Sequence, residues 1–206
     1  GEMGPTIKQV LREKEFRWDS ELKRFSRSFP NLKLHIDLLT DDGKSDKGTV
    51  MVDDGLVVSV LPGVDRALAC IREVEVTGMT LQGETRTELI KVAEVGPMLA
   101  LKLNAFGGPD GRRAGKDVHD ILHLATRYLD GQPAAVAAFK AEQATGNRAM
   151  RHALVCLQTC FAHEDAEGPM ACAAFRLNGR HETAAMADAS LAIRRQCVGL
   201  AQALLP

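Results

Sequence analysis

Lys116-Asp117-Val118-His119-Asp120-Ile121-Leu122-His123-Leu124-Ala125-Thr126-Arg127-Tyr128-Leu129 sets Val118, Ile121, Leu122, Ala125 and Leu129 three or four positions apart. Residues so spaced share one stripe of an α-helix, so the segment predicts an amphipathic helix over 116–129. Gly131 and Pro133 end it. Upstream, Pro97 suits a first helical turn, and Met98, Leu99, Leu101, Leu103, Ala105 and Phe106 follow until Gly107-Gly108-Pro109 stop the run. Gly111 to Gly115 is a basic loop joining the two helices. At Pro97 the hydrophobic pattern passes from strand-like alternation to the helical repeat, and that change decides the fold class.

Beyond this pair, residues 131–206 hold 20 alanines and no Trp or Tyr, which predicts closely packed helices. Helices are expected over 134–144, 148–162 and 183–204. Before the pair, residues 16–95 are rich in Val, Thr, Phe and Leu separated by charges, as strands are. Leu32 to Leu39 is the clearest strand, with Leu32, Leu34, Ile36 and Leu38 on one face and Asp41-Asp42-Gly43 ending it. Glu15 to Trp18, Leu22 to Phe29 and Val57 to Leu61 read as further strands, and Glu73 to Val95 as two or more, with turns at Gly78 and Gly83. Thr6 is placed to cap a helix over 7–15. Pro62-Gly63 breaks the chain ahead of a short helical stretch, Val64 to Ile71. The expected fold is α+β, a mixed sheet followed by a helical bundle. The expected division is a sheet region over 1–95 and a helical domain over 96–206.

The 206 residues suffice for a real core without staples. Lys plus Arg number 26 against 27 Asp plus Glu, which excludes a globally basic nucleic-acid coat and an acidic tail but not a local basic patch. No apolar run approaches the roughly 18 residues of a membrane helix, and Gly1 to Pro5 do not resemble a secretory leader. Five cysteines, with no C-x-x-C pair, predict reduced thiols and a cytoplasmic protein.

Three constellations carry chemistry. Gly111-Arg112-Arg113-Ala114-Gly115-Lys116-Asp117 imitates a phosphate-binding P-loop, but it is one residue short between the glycines and has Asp117 where the motif needs Ser or Thr. His119 and His123 share a helix face, as the histidines of a zinc hydrolase do, with Asp120 in place of the glutamate base and no evident third ligand. Cys156 and Cys160 stand at the same i, i+4 spacing but read as ordinary buried thiols. Lys102 lies between Leu101 and Leu103, where an ammonium needs an acid or a phosphate. Asp117 stands at a helix start, where a carboxylate suits the helix dipole. The glycines of the joining loop allow the two helices to pack antiparallel and bring Lys102 to Asp117. The plain alternative has Lys102 reaching to solvent and Asp117 only capping its helix.

Taken in order, Met98 to Phe106 with Lys102 and Ala105, then Arg112, then Lys116-Asp117-Val118-His119-Asp120-Ile121-Leu122, resemble the second half of the nucleotidyltransferase-like toxins of AbiE type. His35-Ile36-Asp37-Leu38-Leu39 is similar to the strand that bears the third carboxylate in nucleotidyltransferases of the polymerase-β type. The resemblance spans about residues 7–130. It implies transfer of a nucleoside monophosphate from an NTP to an RNA (tRNA-like) or protein acceptor, with Mg2+ as cofactor and a cognate antitoxin as partner. By the same resemblance Asp37 is the strand carboxylate and metal ligand, and Lys102 contacts the triphosphate. Asp117 orients Lys102 or acts on the acceptor hydroxyl, Asp120 supports it, and Arg112 and Lys116 reach phosphate.

The superfamily opens with a Gly-Ser or Gly-Gly turn and an Asp-x-Asp strand, and this sequence has no Asp-x-Asp. Glu13-x-Glu15 and Glu73-x-Glu75 are the nearest substitutes, and neither follows a Gly-Ser turn. The sheet region is therefore expected to be N-terminally incomplete. The alternatives are a non-catalytic binding module of the same fold, for a protein or RNA partner, and a metal hydrolase using His119 and His123.

Overall fold

The computed structural model describes residues 4–52, 55–80, 82–178 and 184–206. It is an α+β fold in which small sheets precede a helical bundle. The chain divides into two compact units, Gly1–Pro62 and Gly63–Pro206, and the break falls at the Pro62-Gly63 pair.

The first unit begins with α1 (Ile7–Glu13). Thr6 caps it reciprocally: its hydroxyl accepts from the Gln9 amide at 3.3 Å, and its own amide donates to Gln9 Oε1 at 2.9 Å. Next come β1 (Arg17–Asp19), β2 (Arg24–Phe29) and β3 (Leu32–Asp37), paired antiparallel in that order. A second sheet is mixed: β4 (Leu39–Thr40) runs parallel to β6 (Val57–Val60), and β5 (Thr49–Met51) runs antiparallel to it. β5 is a strand that the sequence pattern did not announce.

Register explains the small core. Trp18, Phe25 and Ile36 are directly opposed and so share a face. Phe25 is fully buried with Leu56 and Val58, and the rings of Trp18 and Phe25 tilt together at 4.9 Å. Of the predicted stripe, Ile36 and Leu38 join this core, whereas Leu32 and Leu34 stay exposed because the core reaches only one end of the strand.

The second unit opens with α2 (Val64–Ala69) and a hairpin of β7 (Ile71–Met79) and β8 (Thr85–Ala93). Gly83 turns the hairpin with φ +85, and Gly78 lies within β7. The helices follow: α3 (Val95–Gly107), α4 (Gly115–Arg127), α5 (Gln132–Gln143), α6 (Arg148–Cys160), α7 (Glu167–Arg176) and α8 (Ala184–Leu204). The first residue of the predicted helix 183–204 lies outside the described residues. The helix α7, which contains Gly168 and Pro169, was not among the expected helices. Both residues sit in its first turn, where proline costs no hydrogen bond.

One continuous core runs through the bundle. Leu99, Leu103 and Phe106 of α3 meet Val118, Ile121, Leu122 and Ala125 of α4, with Phe139, Met150 and Leu157 from α5 and α6. The predicted stripe of α4 is correct except at Leu129, which is exposed because the helix ends at Arg127 and Leu129 turns out at φ +40. Gly115 starts α4 so close to the Ala171 carbonyl of α7 that any side chain there would collide with it.

Candidate functional site

α3 and α4 are joined by a loop that folds back on the end of α3. The Arg112 amide donates to the Ala105 carbonyl at 2.9 Å, and the Arg113 amide to the Phe106 carbonyl at 3.2 Å. These bonds use carbonyls that a helix C-terminus leaves without internal partners. They also fix Arg112 beside the first turn of α4.

At that junction the charged residues converge. Lys102 Nζ donates to Asp120 Oδ2 at 2.7 Å and lies 3.8 Å from Asp117 Oδ1. Lys116 Nζ donates to the same Asp120 oxygen at 2.8 Å, one helical turn away. Arg112 grips both oxygens of Asp117, through Nη2 at 2.7 and 2.8 Å and through Nε at 3.2 Å. Asp117 is only 1% exposed, whereas Arg112 and Lys116 are 63% and 64% exposed. The cluster thus has a buried acidic centre and a cationic rim in water.

Electrostatics follow from this layering. Burial pushes the Asp120 carboxyl up, but the hydrogen bonds and charges of Lys102 and Lys116 outweigh it and hold the group below its ordinary value. Three cations face two carboxylates, so the cluster keeps one net positive charge.

The approach of Lys102 and Asp117 expected across two adjacent helices is present, with two differences from the sequence reading. Asp120, not Asp117, is the nearest acid to Lys102. Asp117 does not cap α4, because its carboxylate is turned to Arg112 and Lys102. Asp37 belongs to the first unit, where it closes β3. It faces Arg24 across the β2–β3 register, with Arg24 Nε 3.0 Å from its Oδ1.

The histidine pair offers less. The rings of His119 and His123 lie 6.0 Å apart, and His119 packs on Phe175 at 5.4 Å. Among the described residues no three His, Cys, Asp or Glu side chains stand close enough together to hold a metal ion. Asp37, the carboxylate expected to hold magnesium, is ion-paired with Arg24 and half-exposed. Cys156, Cys160, Cys172 and Cys197 are free thiols in the helical core, where burial pushes the Cys156 thiol up.

Sequence reasoning missed a second charged cluster. Glu142 of α5 is buried and accepts from Arg66 of α2, Nε at 2.8 Å and Nη2 at 2.9 Å, and from Asn147 at 2.7 Å. Asn147 also caps α6, accepting from the Met150 amide at 2.9 Å. A gap of 76 residues between Arg66 and Glu142 leaves no local signal of their pairing.

No protein-family model, no curated protein and no solved structure matches the chain. Among the described residues no helix is long and apolar enough to cross a membrane.

Proposed function

We propose that the α3–α4 cluster binds the triphosphate of a nucleoside triphosphate, and that the chain is a nucleotide-binding protein of the nucleotidyltransferase toxin type. The observation that carries this reading is the convergence of Lys102, Arg112 and Lys116 on two carboxylates, with one positive charge left over and two of the cations exposed. An incoming phosphate can meet the exposed ends of Arg112 and Lys116 while both keep their carboxylate partners. Asp117 stays in place as the buried centre that orients Lys102 and Arg112.

In this reading the full activity is transfer of a nucleoside monophosphate to an RNA, tRNA-like or protein acceptor, in the cytoplasm and under the control of an antitoxin. Asp37 alone is too few donors for two bridging magnesium ions, and its engagement by Arg24 favours binding over transfer for this chain.

Calorimetric titration with each of the four nucleoside triphosphates tests the proposal. Saturable binding is expected, and Lys102→Ala should weaken it by about tenfold in the protein that remains folded, the value of a charged hydrogen bond. Absence of saturation, or a Lys102→Ala protein that binds as the parent does, would remove the proposal. In a parallel incubation with labelled triphosphate, magnesium and total RNA, no labelled product is expected. Labelling that disappears in Asp37→Ala would move the assignment from binding to catalysis.

A further inference from the structure

The first unit holds a different concentration of positive charge, independent of the α3–α4 cluster. Arg12 in the last turn of α1, Arg17 at the start of β1 and Arg27 of β2 line one open cleft of about 580 Å³, together with Glu15, Phe16, Ser26 and Ser28. The short β1 creates it. β1 pairs with β2 only as far as the Arg17–Ser26 register, so the edge of β2 at Arg27 and Ser28 is left open beneath the turn from α1. Glu15 makes that turn at φ +63, a conformation that non-glycine residues seldom adopt.

The three arginines are not equally committed. Arg27 is fixed, its guanidinium bonded to Glu15 and lying 4.7 Å above the Phe29 ring. Among the described residues neither Arg12 nor Arg17 has an ion-pair partner. Three arginines against one glutamate leave two positive charges on a concave surface. Arginine is the side chain best matched to phosphate, since its planar fork donates two parallel hydrogen bonds. The volume lies in the range of small-ligand sites.

We propose that this cleft binds a pyrophosphoryl group, free or at the end of a small phosphate ester, with Arg12 and Arg17 as its main contacts, Arg27 as a fixed third donor and Glu15 as a competing carboxylate that limits affinity.

Chemical-shift mapping of the isotopically labelled full chain, titrated with inorganic pyrophosphate and separately with adenosine diphosphate at constant ionic strength, tests this. The expected result is a set of saturating shifts at residues 12–17 and 26–28 with at least one of the two probes; pyrophosphate alone would identify the free anion, and adenosine diphosphate the ester. The Arg12→Ala/Arg17→Ala protein should bind that probe about tenfold more weakly, and Glu15→Gln should bind it more tightly. Arg86→Ala, at an exposed arginine of the β7–β8 hairpin, should bind as the parent does. Shifts confined to residues 102–120 would overturn the inference while supporting the triphosphate site. Shifts at 12–28 that do not saturate, or that are unchanged by the double substitution, would also overturn it.

Discussion

Glu142 and Asp117 are both buried carboxylates gripped by an arginine, but their surroundings differ. Glu142 receives two bonds from Arg66 and one from Asn147, and these partners belong to α2 and to the cap of α6. The acid ties three elements together, and the pairing leaves no cation in excess. Asp117 is held by Arg112, which stands largely in water on a loop, and by Lys102, which it shares with Asp120. Burying a carboxylate requires compensation in either place. Where the compensating cations are anchored in other helices, the cluster is architecture. Where they reach solvent and outnumber the acids, they are available to a passing anion.

The largest effect should come from breaking the closed cluster. Arg66→Ala strands Glu142 in the bundle with Asn147 as its remaining partner. Removal of one member of a buried pair costs on the order of 3–5 kcal/mol, and the lower end applies because Arg66 itself is partly exposed. Urea unfolding should report a loss of about 3 kcal/mol, with triphosphate binding unaltered in the protein that remains folded. A loss below about 1 kcal/mol, the range of surface pairs, would erase the distinction.

Asp117→Asn should cost less. The amide keeps the shape, and the cations it abandons can return to water through their exposed ends. About 2 kcal/mol is expected, the value of a lost hydrogen bond to a charged group. A loss equal to that of Arg66→Ala would place Asp117 with Glu142 as a structural acid.

The difference between the two clusters also explains what the sequence reveals. The α3–α4 cluster was legible because Lys102, Arg112, Lys116, Asp117 and Asp120 fall within one helix–loop–helix, where spacing and glycines fix geometry locally. The order of contacts was not legible. Whether Lys102 meets Asp117 or Asp120 depends on the rotation of two packed helices, which periodicity does not set. The Arg66–Glu142 pair was illegible because its members meet only after α2, α3 and α5 have packed. α1 and α3 to α6 were readable from caps, breakers and apolar stripes. α7 was not among the expected helices; Gly168-Pro169 suits its first turn but would break a helix interior. The joining of Trp18, Phe25 and Ile36 into one core rests on strand register, which the alternation of each strand alone does not supply.

The smallest expected effect belongs to Lys116→Ala, and it sharpens the comparison most. Lys116 is 64% exposed, so the loss of its i, i+4 bond to Asp120 should cost no more than about 0.5 kcal/mol near neutral pH. Its signature is in the acid range. Lys102 and Lys116 together hold the folded-state carboxyl of Asp120 below the ordinary 3.8. A carboxyl depressed on folding contributes stability that is fully present above the unfolded value and is lost as the pH falls through the folded value. Without Lys116 the folded value rises toward 3.8, and the contribution shrinks. The difference between parent and Lys116→Ala should therefore be constant above about pH 5 and fade as Asp120 takes up its proton in both proteins below pH 3.8. Stability measured by urea at a series of pH values checks this directly. A difference that persists undiminished at the acid end would mean that Lys116 acts through something other than Asp120, and the rim of the cluster would need another account.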